Sequence, residues 1–584
     1  MRSRVRVAAV VLLAAALPAC ASIPTSGPVR EGSDLSVQRQ DVAVPFIAEP
    51  PAPGASAEDV VRGFLRANAD FRGDHAVARL YLAPRARQQW RPGAGTTVYD
   101  RVTAPLTVEE SDGGQVTVRA TEVATIDGEG SYRRTAGGTE AARTFGMERV
   151  DGEWRIAALE DGLQLSRFDV QESFRQVSLY FLSPSRNTLV PDVVLVPELP
   201  GLSTKLVSRL LRGPTASLRG AVDTAFPQGT SLEVQSVPVR DGLATVQLDQ
   251  RALRADEDAR EQMSAQIVWT LKQLGPEIAR IHITAGGEEL GVPGVSEEQD
   301  RDSWQTFDPD GLPGSPSVYV VRGLQVGRLI EGRFEPVEGP AGAGQVALRG
   351  PAVSLDTARL AAVSADGTRL YVGRFAADAP LEEVLRGGDL SQPSWDPIGN
   401  LWLVDRGSGQ LLLLPGGAGP AVRVQLPRLP GGPSQIAVSR DGARAALVTG
   451  AGRSARLVVG ALTGVERVEP GSPNDTVTVA VTAVHEVLPT LRSVRDVAWA
   501  DARTLAVLGS QDGLPVAPLY TSIDGYDVVA VEPPSDPVSL AAVPPLEAQS
   551  SPLVVATAAG RLVQYIPSRG WVELGEGSDP AYPG

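Results

Sequence analysis

The chain has 584 residues, with 54 Lys and Arg against 69 Asp and Glu, and a formal net charge of −15. That acidic balance argues against the basic footprint of a nucleic-acid binder and against peripheral electrostatic binding to anionic lipid, so no nucleic-acid partner is expected. One cysteine, Cys20, excludes disulfides and thiolate zinc sites in the body of the protein.

The first twenty residues carry the clearest signal. Arg2, Arg4 and Arg6 form a positive start, Val7 to Leu17 is an apolar run, and Leu17-Pro18-Ala19-Cys20 follows. This is the layout of a secretory signal ending in a lipobox. The run is too short to span a bilayer as a helix, which needs roughly 20 apolar residues. Residues 1–19 are therefore expected to be a lipoprotein signal peptide. Cys20 is expected to become the first mature residue, with a diacylglycerol on its sulfur and an acyl group on its nitrogen. Those chains would be the lipid anchor to the cell membrane, on its extracytoplasmic face; one chain holds weakly, two or more hold stably. Residues 20–54 lack periodicity and are rich in proline, as in Pro45, Pro50, Pro51 and Pro53. They read as a flexible tether, able to reach roughly 100 Å when extended.

An N-terminal α+β domain is expected over 55–168. Ser56-Ala57-Glu58-Asp59 can cap a helix that puts Val60, Val61, Phe64 and Leu65 on one face. A short helix near 76–82 precedes Pro84. Alternation over 115–125 and the turn Asp151-Gly152 between 144–150 and 154–159 give antiparallel strands. His75, between the helices, reads as a surface histidine.

A second α+β domain is expected over 172–292, with the order β-β-α-β-β-α-β. Strands are expected at 176–182, 192–197, 231–239, 244–249 and 278–284, and helices at 203–211 and 256–274. Gly213-Pro214 and Gly275-Pro276 stop the helices. His282 alternates with Ile281 and Ile283, and so points away from the core. Residues 293–316 are acidic and rich in Gly and Pro, which reads as a solvated linker.

From 317 to 584 the chain changes to short strands with frequent Gly and Pro. A degenerate strand–turn–strand unit recurs, in which Val363, Trp395, Val438 and Trp499 occupy corresponding places, 32, 43 and 61 residues apart. Spacing near 45 residues predicts four-stranded blades of a β-propeller, about five or six of them. A helical turn at 380–386 is the sole helix expected there.

Catalytic motifs are absent. Lys205 and Lys272 are the only lysines, and neither completes a phosphate loop or a Ser-x-x-Lys pair. His485-Glu486 lacks a second histidine four residues on. The three histidines are too dispersed for a metal site, and no cofactor is expected. Asp308-Pro-Asp310-Gly resembles part of a calcium loop but lacks its later ligands. Asp366, Asp396, Asp441 and Asp501 are expected at turns rather than in a propeller channel.

The chain resembles the LpqB family of actinobacterial lipoproteins along its whole length. Cys20-Ala-Ser-Ile-Pro-Thr-Ser-Gly-Pro is similar to that family's mature start, and Ala57-Glu-Asp-Val-Val-Arg-Gly-Phe-Leu-Arg-Ala to its N-terminal domain, which looks NTF2-like. Leu210-Leu-Arg-Gly-Pro214, Ala225-Phe-Pro-Gln-Gly-Thr230, Ala244-Thr-Val-Gln-Leu-Asp249 and Gln266-Ile-Val-Trp-Thr-Leu271 resemble a GerMN domain. The resemblance implies a non-enzymatic accessory of the MtrA–MtrB two-component system that contacts the sensor kinase MtrB and affects cell-wall and division processes. It implies no catalytic residues; Cys20 alone maps to a defined chemical role. Two other readings stay open from the residues: a lipoprotein that binds a cell-wall polymer such as peptidoglycan, and a propeller hydrolase.

Overall fold

The computed structural model describes residues 48–584, apart from 101–105, 112–113, 301, 313–315, 466–477 and 546–551. The signal segment, Cys20 and most of the tether lie outside the described residues. Ile47–Gly584 is one compact unit.

Ser56 starts the first helix, α1 (Ala57–Ala67). Its Oγ accepts from the Asp59 amide at 3.1 Å and donates to the Asp59 carboxylate at 2.7 Å. The apolar face of α1 is buried through Val60, Val61, Phe64 and Leu65. Two short helices follow, α2 (Ala76–Leu80) and α3 (Pro84–Gln89). Pro84 opens α3 because the first turn of a helix needs no amide from it. These helices lie against a six-stranded sheet whose order is Glu153–Ala158, Tyr132–Val150, Gln115–Asp127, Gly95–Asp100 and Leu163–Ser166. Thr107–Ser111 also pairs with Gln115–Asp127. The segment expected at 144–150 is the end of one 19-residue strand. Asp151 and Gly152 both have positive φ (52° and 86°), the turn that matches hairpin twist. Phe64 meets Trp90 and Phe145 edge-on at 5.3 and 6.1 Å, anchoring the helices to the sheet.

The helix α4 (Arg167–Ser173) leads into the second domain. Ser166 and Asp169 cap it reciprocally. A long hairpin, Phe174–Leu182 with Leu189–Pro197, packs with α5 (Leu202–Leu210) and α6 (Glu257–Lys272). Behind them Leu243–Leu248 and Arg280–Ala285 pair in parallel. The strand expected at 231–239 is reduced to Val239–Arg240. Pro238 has no amide for a ladder, and the Ser236 amide turns back to the Val234 carbonyl at 2.6 Å.

Residues 293–316 are not a simple solvated linker. Glu298–Asp300 adds a strand to Arg280–Ala285, and Trp304 and Phe307 are buried in the core of the second domain. The carbonyl of Trp304 accepts from Trp269 Nε1 at 2.9 Å. Aromatic burial here outweighs the acidic composition.

The remainder is a propeller of six four-stranded sheets. Blades two to six run consecutively over 348–386, 394–423, 433–486, 493–530 and 537–576. Blade one takes three strands from 318–336, and its innermost strand is the chain end, Ser578–Ala581, paired to Val318–Arg322. The ring is thus closed by joining its first and last segments, which completes blade one and leaves only the short, protected edges of a propeller. The helical turn expected at 380–386 is instead the outer strand of blade two, Leu381–Arg386. Its Glu382, Glu383 and Arg386 suit an exposed edge. The repeat also needs one shift. Val353↔Leu360, Trp395↔Leu401, Val438↔Ala445 and Trp499↔Leu505 are the matching pairs between first and second strands. Val353, not Val363, is therefore the equivalent of Trp395.

Candidate functional site

The propeller channel is the first place where chemistry could converge. Inner strands from all six blades line it, and it encloses about 80 Å³. Its lining is mostly Pro, Ala, Val and Trp, with Asp496 and Arg440 as the charged groups. Asp496 is committed to structure: it accepts from Gln435 Nε2 at 2.6 Å, the Val497 amide at 2.9 Å and the Leu540 amide at 2.8 Å. Burial still raises it to about 6. Arg440 is buried and donates to the carbonyls of Trp499, Ala542 and Pro583 at 3.1, 3.3 and 3.4 Å. It stitches blade five, blade six and the C-terminal segment together. A lone carboxylate tied by three donors, with no metal-ligating group of three or more among the described residues, gives the channel no catalytic set.

The turn aspartates are structural. In Ser354/Asp356, Ser364/Asp366, Ser439/Asp441 and Ser522/Asp524 the serine Oγ donates to the carboxylate at 2.5, 2.5, 2.5 and 2.6 Å. In each, the carboxylate accepts the amide two residues on, and the serine accepts the amide five residues on. This Ser-x-Asp clasp replaces backbone partners in a tight turn. The expected turn positions of Asp366 and Asp441 have this cause. Asp396 reaches the same end through Asn400 and Trp402 Nε1, and Asp501 accepts from the Arg503 amide.

The three domains are stapled together where blades four and five meet the other two. Arg134 of the first domain donates to the Gly525 carbonyl at 2.6 Å, and Tyr132 meets Tyr526 edge-on at 5.2 Å. From the second domain, Gln176 bonds the Asp524 carboxylate, and the Pro191 carbonyl accepts from Arg444. Asp310, read from sequence as part of a linker, accepts from the Ala502 amide at 2.6 Å. Burial, with Asp501 and Asp308 nearby, raises it to about 7, against the pull of Arg440.

The histidines separate. His282 is on the outward face, 2.9 Å from Glu289. His75 is buried rather than on the surface: Gly73, Asp74 and His75 all have positive φ, which folds the ring back against Phe71 and Trp90. His485 is enclosed between blades, with Nε2 3.0 Å from the Ile523 carbonyl. Burial, with Arg133 and Arg444 nearby, lowers it to about 4.

Fold and channel together define the architecture: a six-bladed propeller carrying two docked α+β domains. Three family models match the chain: "Lipoprotein LpqB, N-terminal domain" over 50–171, "Sporulation and spore germination" over 178–291 and "Lipoprotein LpqB beta-propeller domain" over 325–583. Lipoprotein LpqB of Thermobifida fusca is 34% identical, covering 98% of this chain and 97% of its own. That of Streptomyces coelicolor is 32% identical, covering 99% and 97%. The chain belongs to the lipoprotein LpqB family. Its relatives carry the name of a membrane-anchored lipoprotein rather than of an enzyme. Among solved structures, TolB of Acinetobacter baumannii matches with a TM-score of 0.31 and 17% identity, covering 47% of this chain and 67% of that one. The first GerMN domain of GerM from Bacillus subtilis matches with a TM-score of 0.19 and 18% identity, covering 22% and 98%.

Proposed function

We propose that this protein is a non-enzymatic accessory of the MtrA–MtrB two-component system. It is held by lipidated Cys20 on the extracytoplasmic face of the cell membrane. There it contacts the extracytoplasmic part of the sensor kinase MtrB and modulates signalling over cell-wall and division processes. The observation that carries this reading is the stapling of three domains into one body whose channel carboxylate and turn aspartates are all spent on structure. Such a body offers a broad, fixed surface instead of a reaction centre. A tether raises its effective concentration beside a membrane partner.

The test is Cys20→Ala in cells. The protein is expected in the soluble extracytoplasmic fraction with an unchanged melting temperature, with loss of in-cell crosslinks to MtrB and a changed level of phosphorylated MtrA. Unchanged crosslinks and MtrA phosphorylation would reject the reading.

A second reading, binding of a cell-wall polymer, draws on one feature. A cleft of about 480 Å³ between the second domain and the propeller presents Tyr180, Gln273, Asp302 and Arg503. Retention of the whole soluble protein on purified peptidoglycan, lost on changing Arg503, would favour it.

A further inference from the structure

The chain keeps only two lysines among 54 basic residues, and both line interdomain cavities. Arginine serves everywhere else, so these two places use a compact ammonium on a flexible stem. Lys272 is engaged: its Nζ lies 2.8 Å from the centroid of the Trp269 ring. Lys205 has no side-chain hydrogen bond or ion pair among the described residues. It is half-buried, and its nearest charged neighbour is another cation, Arg209, one helical turn away on α5. Both effects, burial first, push its ammonium below the ordinary lysine range. An unpaired, partly desolvated cation beside a second cation costs stability and is a place prepared for an anion.

The cavity they face lies between the first and second domains and holds about 350 Å³. That is room for about twelve water-sized groups. Away from Lys205 and Arg209, Phe71, Ile126, Leu163 and Phe174 give the cavity an apolar side, with Asp74, Thr96 and Asp127 elsewhere on the wall. His75 forms part of the wall, 94% buried; its Nδ1 has no hydrogen-bond partner but is enclosed rather than open to the cavity. Arg209 is fixed at the rim: its guanidinium donates to the Glu129 carbonyl at 2.8 Å and passes so close to Gly130 that a side chain there would collide with it. Of the carboxylates on the wall, Asp74 is bound to Arg79, while Asp127, which accepts the amides of Glu129 and Ser131, acts with Glu129 on Arg209; neither acts on Lys205, the cation left without an opposite charge.

We propose that this cavity binds a small anionic amphiphile, a carboxylate or phosphate head on a short acyl or alkyl tail. The head sits between Lys205 and Arg209, and the tail lies against Phe71, Ile126, Leu163 and Phe174. Walls from both domains close on the ligand, so its binding tightens their junction. This site is separate from any contact with a kinase and stands or falls independently of it.

The test uses residues 21–584, which include the whole compact unit, purified without detergent. Octyl phosphate, octanoate and octyl glucoside are titrated by calorimetry below their micelle concentrations. Octyl phosphate or octanoate is expected to bind at least tenfold more tightly than octyl glucoside, and Lys205→Met to weaken the anion at least tenfold. Lys205→Arg is expected to weaken it less. Lys205→Met also removes an unpaired charge, so its ligand-free melting temperature is expected to stay level or rise, which separates lost binding from lost fold. With two lysines, ¹³C-methylated protein gives one resolved dimethyl-lysine signal from each, and methylation keeps the charge. The Lys205 signal is expected to move on adding octyl phosphate while that of Lys272 stays. The proposal is overturned if neither anion binds, if the neutral detergent binds as well, if Lys205→Met leaves the affinity unchanged, or if Lys272 alone responds.

Discussion

Gln176 and Asp524, 348 residues apart, meet across the boundary between the second domain and blade five. The amide nitrogen of Gln176 lies 3.2 and 3.1 Å from the two carboxylate oxygens. Asp524 is buried and also accepts from Ser522 Oγ and the Tyr526 amide. Gln176→Leu removes a hydrogen bond to a charged group and is expected to cost about 1.5–3 kcal/mol. Asp524→Ala loses the turn clasp as well and is expected to cost more. Urea denaturation checks both. Equal midpoints for the two variants would show that the interdomain bond contributes as much as the whole clasp.

The Ser-x-Asp clasp gives a second expectation. At Ser439 every partner is buried, so Ser439→Ala takes the hydroxyl acceptor from the Arg444 amide and leaves the Asp441 carboxylate with the Ala443 amide as its one hydrogen-bond donor. A loss of about 1–3 kcal/mol is expected. At Ser364 the partner carboxylate of Asp366 is more than half exposed, and water can replace the hydroxyl. Ser364→Ala is expected to cost well under half as much. Thermal unfolding of the two variants in parallel checks the ratio.

The clasp also shows what the sequence conveys and what it withholds. Strand, polar turn, strand was legible, and with it the propeller. Yet the same Ser-x-Asp signature closes the turn after Val353 and the turn after Val363. Blade two repeats the same turn chemistry after its first and its second strand, so pattern alone could not tell first-to-second from second-to-third strands. The offset of one strand in blade two follows from that. Helix α1 and its cap were legible because Ser56, Asp59 and the apolar face are local. His75 and the segment carrying Trp304 were not. Their burial depends on a backbone turn with positive φ and on partners brought in by tertiary packing. For the same reason neither interdomain cavity could be read from sequence, although the scarcity of lysine was visible there.

His485 makes stability depend on pH. Its folded value, about 4, lies below the ordinary 6.5. The folded state therefore holds it neutral, and its contribution is complete above pH 6.5. As the pH falls from 6.5 towards 4 the unfolded chain takes up the proton first, and that contribution is lost. Between pH 7 and pH 5 the loss attributable to this group is about 2 kcal/mol. Several buried carboxylates with raised values, such as Asp496, act in the opposite direction. The measurement is thus the difference between wild type and His485→Gln in chemical denaturation at each pH. The wild type's advantage is expected to shrink by that amount on going to pH 5, and a difference independent of pH would contradict the assignment.

Arg440 gives the last expectation, because its charge and its hydrogen bonds can be separated by pH. Arg440→Met leaves the carbonyls of Trp499, Ala542 and Pro583 without their donor and leaves Asp310 without its neighbouring cation. Removing one member of a buried charged group costs about 3–5 kcal/mol when the other stays ionised. Asp310 is raised to about 7, so its folded form is largely protonated at pH 6 and largely ionised at pH 8. At pH 6 the variant loses the three carbonyl contacts and the attraction to Asp501, but little from the largely protonated Asp310. At pH 8 it must also ionise an aspartate that has lost its cation, or keep it protonated at a cost. The destabilisation measured by denaturation is therefore expected to be larger at pH 8 than at pH 6. Carbon-13 NMR of Asp310 in the variant is expected to show its titration moved above that of the wild type. An equal penalty at both pH values would mean that Arg440 is not coupled to the ionisation of Asp310.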